Sequence, residues 1–181
     1  MTYLLDNKKN KKRRENKTKK NGEGFTLVEV LVALFILSTG IVTGLAAVNQ
    51  GLAATQIAKS KLIAANLAQE GIELVRNIRD TNWLEQRDNP ELPWDDGLSI
   101  GDWEVTYQSQ NLESYQGRHL KIDANGFYNY TTGTDTKFQR KITIQKISDK
   151  QLRVISRVEW QEKGKTYNLI AVEDLYNWLR Q

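Results

Sequence analysis

Three residues near the start of this 181-residue chain, Gly24, Phe25 and Glu29, have types and a spacing that suggest chemistry. Glycine lets an extended backbone enter a protease active site without a side-chain clash, so the peptide bond between Gly24 and Phe25 is a candidate cleavage point. A cut there would leave a new α-amino group on Phe25, and Glu29, four residues on, lies one helical turn away. Glu29 is the one charged side chain between Phe25 and Ala58. A lone carboxylate in an apolar helix costs roughly 2 to 3 kcal/mol on membrane-insertion scales, so it calls for a partner and a reason. The chemistry expected here is done to the chain: one peptide bond is hydrolysed and an ammonium then finds a carboxylate.

The elements that position these residues are legible on either side. From Val30 to Val48 the chain runs VLVALFILSTGIVTGLAAV, 19 predominantly apolar positions in succession. As a helix at ~1.5 Å per residue this run is about 28 Å long, the thickness of a bilayer core. It has no polar face, which disfavours a helix lying along a membrane surface. Upstream, Met1 to Gly24 carry nine basic side chains against three acidic ones. That excess is larger than the formal +4 of the whole chain, so the part from Thr26 onward is slightly acidic and its charge does not mark a nucleic-acid binder. The basic stretch has too little apolar surface to offset its ordering entropy and is expected to be disordered. Positive residues stay on the cytoplasmic side, so the N-terminus is expected inside and everything after Ala54 outside.

The segment Gly24-Phe25-Thr26-Leu27-Val28-Glu29-Val30-Leu31-Val32-Ala33, behind its basic leader, resembles the cleavage and methylation signal of type IV prepilins and of secretion-system pseudopilins. The resemblance implies that a membrane-embedded prepilin peptidase and methyltransferase cuts after Gly24 and methylates the exposed nitrogen of Phe25. It implies that Glu29 neutralises the terminal amine of a neighbouring subunit as filaments assemble. It also implies partners in the other pilin or pseudopilin subunits, the inner-membrane assembly platform and membrane lipid. The location implied is a single-pass cytoplasmic membrane protein with an extracytoplasmic head, and a pilus or pseudopilus after assembly. Ala46 stands where many members carry a helix-kinking proline, and Gly40, Gly44 and Gly51 are the weak points of this helix.

Beyond the membrane run, Ile57, Ala64, Leu67, Gly71, Leu74 and Ile78 form one apolar stripe at helical spacing. A single helix from Phe25 to about Asp80 would be roughly 84 Å long. Thr81 to Gly101 holds both prolines, Pro90 and Pro93, with Glu85, Asp88, Glu91, Asp95 and Asp96, and reads as a solvated loop. The ordered acidic spacing of a calcium loop is absent from it. The period then changes to two. Trp103, Val105 and Tyr107 alternate with polar residues, and Asn125-Gly126 between Leu120-Ile122 and Phe127-Tyr128 predicts a hairpin with a type I′ turn. Strands over Phe138–Ile147, Leu152–Trp160 and Lys165–Val172 predict an antiparallel meander that lays Ile142, Ile144, Val154, Val158, Trp160 and Leu169 on the helix.

The fold class expected is therefore α+β, a pilin-like ladle in which one long N-terminal helix, membrane-spanning in its first half, packs on an antiparallel sheet. Residues 1–24 read as a basic leader to be removed and 25–54 as the transmembrane and assembly helix. Residues 55–82 read as an amphipathic helix packing on the sheet, and 83–181 as the loop and sheet of the head. Three stretches also resemble minor pilins of the type IV pilus modification class and their minor pseudopilin cousins: Glu70 to Asp80, Thr136 to Arg140, and Val158-Glu159-Trp160.

No enzyme is expected. The chain has no cysteine and a single histidine, His119, so thiol chemistry, thiolate metal sites and paired-histidine sites are excluded. No catalytic residue, cofactor-binding residue or metal ligand is assigned, and the isolated glycines form no phosphate loop. The five tryptophans, Trp83, Trp94, Trp103, Trp160 and Trp178, suit a core better than a binding platform, although exposure of Trp83 and Trp94 would favour binding. The function expected is a minor type IV pilin or pseudopilin with a priming, tip or adhesion role. One alternative is a signal-anchored extracytoplasmic binding module that keeps its leader. Another is a competence pseudopilin for DNA uptake, for which Lys137, Arg140, Lys141 and Lys146 would form a local patch; nucleic acid is otherwise expected to be no partner or an indirect one.

Overall fold

The computed structural model describes residues 24–109 and 111–178. Of the basic leader over residues 1–24, expected to be disordered, all but Gly24 lies outside the described residues. Helix α1 runs from Leu27 to Glu85, and the chain divides into two compact units between Val48 and Asn49. In the first unit the helix is exposed along its whole described length. The second unit holds the remainder of α1 and all of the sheet.

Helix α1 extends past Asp80 through Thr81–Glu85, which the sequence assigns to the loop. None of those residues breaks a helix, and the last turn tightens only at Arg87 and Asp88, which donate to the carbonyls of Leu84 and Glu85, ahead of Pro90. The connection that follows is held to the helix by Asn82, whose Nδ2 donates to the carbonyls of Trp94 (3.1 Å) and Asp96 (2.8 Å). This anchor buries Trp94 and Leu98.

Strands β5 (Thr134–Ser148), β6 (Gln151–Glu162) and β7 (Lys165–Tyr176) form the antiparallel meander that the alternation predicts. Along its other edge β5 pairs with β1 (Gly101–Glu104) and with β3 (His119–Ile122), each antiparallel. The short strands β2 (Glu113–Ser114) and β4 (Tyr128–Asn129) pair with β1 and β3 respectively. One long N-terminal helix and one antiparallel sheet make the α+β, pilin-like architecture expected.

The type I′ turn lies elsewhere than predicted. Between β6 and β7, Lys163 (φ 50°) and Gly164 (φ 74°) are both left-handed, as that turn requires. At Asn125-Gly126 only Gly126 has a positive φ, and its N–H donates to the Asp123 carbonyl at 3.1 Å. The Asp123 carboxylate there accepts the N–H groups of Asn125 and Phe127, at 2.8 and 3.0 Å, and so holds a wider turn.

The helical stripe is also rotated from its expected line. The buried positions are Ser60, Ala64, Leu67, Ala68, Gly71, Ile72, Val75, Arg79 and Asn82, while Ile57, Leu74 and Ile78 are half-buried. A sheet is wider than a single helical row, so it covers two adjacent rows and accepts small or polar residues on the line of closest approach. Gly71 is at that line. A Cβ there would sit 2.6 Å from Ser156 Oγ and 2.7 Å from Ile142 Cδ1.

Two apolar clusters result. One gathers Ile72, Val75, Trp94, Leu98, Val105, Ile142, Ile144, Leu152, Val154 and Leu175; the other gathers Ala64, Leu67, Ala68, Leu120, Tyr130, Phe138, Val158 and Trp160. Between them, by strand and helix order, come Gly71, Arg140 and Ser156.

Candidate functional site

Local chemistry sets where α1 begins. Thr26 is its N-cap: the Glu29 N–H donates to Thr26 Oγ1 at 3.2 Å, and the first helical bond runs from the Val30 N–H to the Thr26 carbonyl at 3.1 Å. Gly24 and Phe25 therefore precede the helix, both exposed, Phe25 to 80%. Glu29 falls in the first turn and is exposed. A carboxylate there complements the positive end of the helix dipole. Among the described residues, Glu29 has no ion-pair partner. The sequence reading passed over Thr26, although Thr-x-x-Glu ahead of an apolar run is a helix-start signature.

The apolar run satisfies its own polar atoms. Ser38 and Thr39 donate to the Phe35 carbonyl at 3.0 and 2.8 Å, and Thr43 to the Thr39 carbonyl at 2.9 Å. With its hydroxyls bonded back onto the backbone, this stretch presents no open polar group besides Glu29 to a surrounding hydrocarbon. It is long and apolar enough to cross a membrane, and none of it is buried inside the protein. A Cβ on Gly40, Gly44 or Gly51 would meet open space, so nothing among the described residues packs on these three glycines.

In the second unit the buried charged residues Glu104, Arg140 and Glu162 have partners on other segments of the chain. Arg140 is fully buried. Its guanidinium donates to the carbonyls of Leu67 (3.0 Å) and Val105 (2.5 Å), with a Glu70 carboxylate oxygen 3.5 Å away. Glu104 is buried as well, and it accepts from the backbone N–H groups of Gln116 and Arg118 and, at 2.6 Å, from Arg118 Nε. Lys137 Nζ lies 2.8 Å from Ser60 Oγ and 3.0 Å from Glu162, and Ser60 donates to Glu162 at 2.7 Å. The Ser60 hydroxyl and the Lys137 ammonium together hold the Glu162 carboxyl below its usual range. Ser60 is on α1, Lys137 on β5 and Glu162 on β6, so the cluster ties the helix to the sheet. Burial pushes the Tyr130 phenol up to about 12, and its hydroxyl donates to the Arg140 carbonyl at 3.2 Å.

These pairings undo the cationic patch suggested for Lys137, Arg140, Lys141 and Lys146. Arg140 is in the core, Lys141 pairs with Asp102 at 3.1 Å and Lys146 with Asp149 at 2.8 Å. The condition for a tryptophan platform also goes unmet. Trp94 is buried, and Trp83 is half-buried, with Arg79 over its ring at 4.3 Å and Trp178 against it edge-on at 5.1 Å. His119 is exposed on β3, with its Nε2 3.1 Å from Gln139 Nε2. Among the described residues no three of the His, Asp and Glu side chains come together as a metal site.

The family model for the prokaryotic N-terminal methylation motif matches residues 19–45. That span holds the candidate cleavage point, Thr26, Glu29 and most of the apolar run. No match was found among curated proteins or among solved structures. The motif is the type IV prepilin signal, here followed by a long apolar N-terminal helix. It supports a type IV pilin or pseudopilin, a structural class of protein, and implies processing by a prepilin peptidase and assembly with other pilins. An apolar helix behind that motif fits a membrane-anchored protein with an extracytoplasmic head.

Proposed function

We propose that the chain is the precursor of a minor type IV pilin or pseudopilin, cut after Gly24, N-methylated on Phe25 and assembled through α1 into a pilus or pseudopilus. The observation that carries this reading is the pairing of an exposed Gly24–Phe25 bond with an apolar helical run in which Glu29, in the first turn of α1, is the sole charge as far as Ala58. Cleavage creates an ammonium at the same end of the helix. The helix dipole opposes a cation there, so the carboxylate at Glu29 offsets both the dipole and the cost of placing the amine in hydrocarbon. A neighbouring subunit's terminal amine can satisfy Glu29 in the same way, which couples neutralisation to assembly. Bare glycines at Gly40 and Gly44, four apart on one face, let another helix approach closely. In this reading the precursor crosses the cytoplasmic membrane once with its leader inside, and its role in the filament is priming, tip formation or adhesion.

The test is the intact mass of the protein from membranes of cells carrying a prepilin peptidase and partner pilins. The expected chain begins at methylated Phe25. A mature chain that still begins at Met1 would overturn the reading in favour of a signal-anchored binding module. Gly24→Leu should leave full-length precursor. Glu29→Gln should be cut normally yet fail to enter filaments, and normal incorporation of that variant would reject the charge-pairing role.

A further inference from the structure

Thr26 stops α1 two residues short of the bond that the proposed processing would cut. Its carbonyl accepts the first helical hydrogen bond, from Val30, and its hydroxyl oxygen accepts the Glu29 N–H. The residues before it, Gly24 and Phe25, are thereby left outside the helical ladder with exposed backbone and side chain. Proteases bind the residues around the scissile bond extended, with the scissile carbonyl free to be polarised by donors of the enzyme. A helical scissile bond meets neither condition.

We infer that Thr26 is a positioning residue for cleavage, acting as the stop that keeps the Gly24–Phe25 peptide out of α1. This rests on the proposed processing after Gly24. The mechanism follows from where the helix would start without the cap. The next residue upstream that caps well is Gly24, since glycine ranks close to threonine at that position. With Gly24 as cap, its own carbonyl would accept the Val28 N–H, and the scissile peptide would become the first peptide of the helix. The Glu29 carboxylate, still within the first turn or just beyond it, does not oppose that extension. Thr26 thus sets the balance between a cleavable and a helical form of the same bond.

The experiment follows precursor turning into mature chain over time in membranes from cells expressing the full precursor and a prepilin peptidase, with each variant scored as the ratio of the two forms in the membrane fraction. Thr26→Val removes the acceptor at nearly constant shape, and Thr26→Ala removes the side chain. Both should slow cleavage measurably, by up to about fivefold, the shift in the ratio of cleavable to helical form that loss of one N-cap produces. Thr26→Ser and Thr26→Asn, which cap through different oxygens, should stay within about twofold of the wild type. If Thr26→Asn is as slow as Thr26→Val, the enzyme reads the threonine directly and the capping role is refuted. Equal rates for all four variants refute it as well. A wild-type precursor that is never cut refutes the parent reading itself, an outcome separate from either of these.

Discussion

Arg140 is the most informative residue to remove from the head. Its guanidinium is fully buried between the two apolar clusters and gives charge-assisted hydrogen bonds to the carbonyls of Leu67 and Val105. Arg140→Ala deletes both bonds, leaves the Val105 carbonyl without its donor, and opens a cavity where two methylenes, Cγ and Cδ, had packed against α1. Orphaning one buried carbonyl costs about 1 to 3 kcal/mol, and the lost methylenes about 0.8 kcal/mol each before any cavity contribution. Relief of the buried charge offsets part of this, so the expected loss is about 2 to 3 kcal/mol, a large share of a typical domain's stability. Arg140→Met keeps the stem volume and removes the buried cation together with its desolvation cost. Its expected loss is about 1 kcal/mol, chiefly from the Val105 carbonyl. Urea titration of the full-length protein in detergent, followed by tryptophan fluorescence, separates the two cases, because Trp94 and Trp160 are buried in the two clusters that Arg140 divides. Equal midpoints for the alanine and methionine variants would refute the account. So would an alanine variant within about 0.5 kcal/mol of the wild type, since changes that small are usual for exposed sites.

Two further outcomes follow from the head. Tyr130, whose phenol is raised to about 12 by burial, favours the folded state fully below the ordinary phenol value near 10, and that contribution is lost as pH rises from there through about 12. Alkaline unfolding monitored by circular dichroism should therefore be less steep in Tyr130→Phe, and an unchanged pH profile would count against burial as the cause. Gly133 lies just before β5 with φ 110°, and a Cβ there would come within 2.1 Å of the Ile122 carbonyl oxygen. Gly133→Ala should lower stability by about 2 to 4 kcal/mol in the same urea titration, and a midpoint equal to the wild type would show that the two backbones can separate freely.

Periodicity and breakers carried much of the fold, and the places where they failed share a cause. The apolar run, the meander and the hairpin positions depend on neighbours within a few residues, and all of these were legible. Arg140 was read as a surface cation because its partners lie 73 and 35 residues away, at Leu67 and Val105. A signal was nevertheless present: Arg140 has the same strand parity as Phe138, Ile142 and Ile144, the inward-facing row of β5. Glu104 was missed for the same reason, since its partners, Gln116 and Arg118, come from the segment after β2. The helix runs on to Glu85, past the expected end near Asp80, and the Asn82 amide is used to seat the carbonyls of Trp94 and Asp96, contacts 12 and 14 residues away that local pattern does not show. Of the N-terminal constellation, the Gly24, Phe25 and Glu29 spacing was plain in sequence. The Thr26 cap was just as local and needed only the Thr-x-x-Glu spacing to be weighed as a helix start.

The two units satisfy their polar groups in opposite ways, and the difference bears on what each is for. In the second unit the buried charges Glu104, Arg140 and Glu162 each find partners within the chain. In the first unit the hydroxyls are bonded back onto the helix, a whole apolar surface is exposed, and the carboxylate of Glu29 has no ion-pair partner among the described residues. Water solvates that carboxylate but not the leucines, isoleucines and valines beside it; hydrocarbon does the reverse. An environment that suits both must supply apolar side chains or lipid along the helix and a cation at its start. A packed array of identical helix ends, each with a freed amine, supplies both at once, and for that reason the proposed assembly follows from the proposed cleavage.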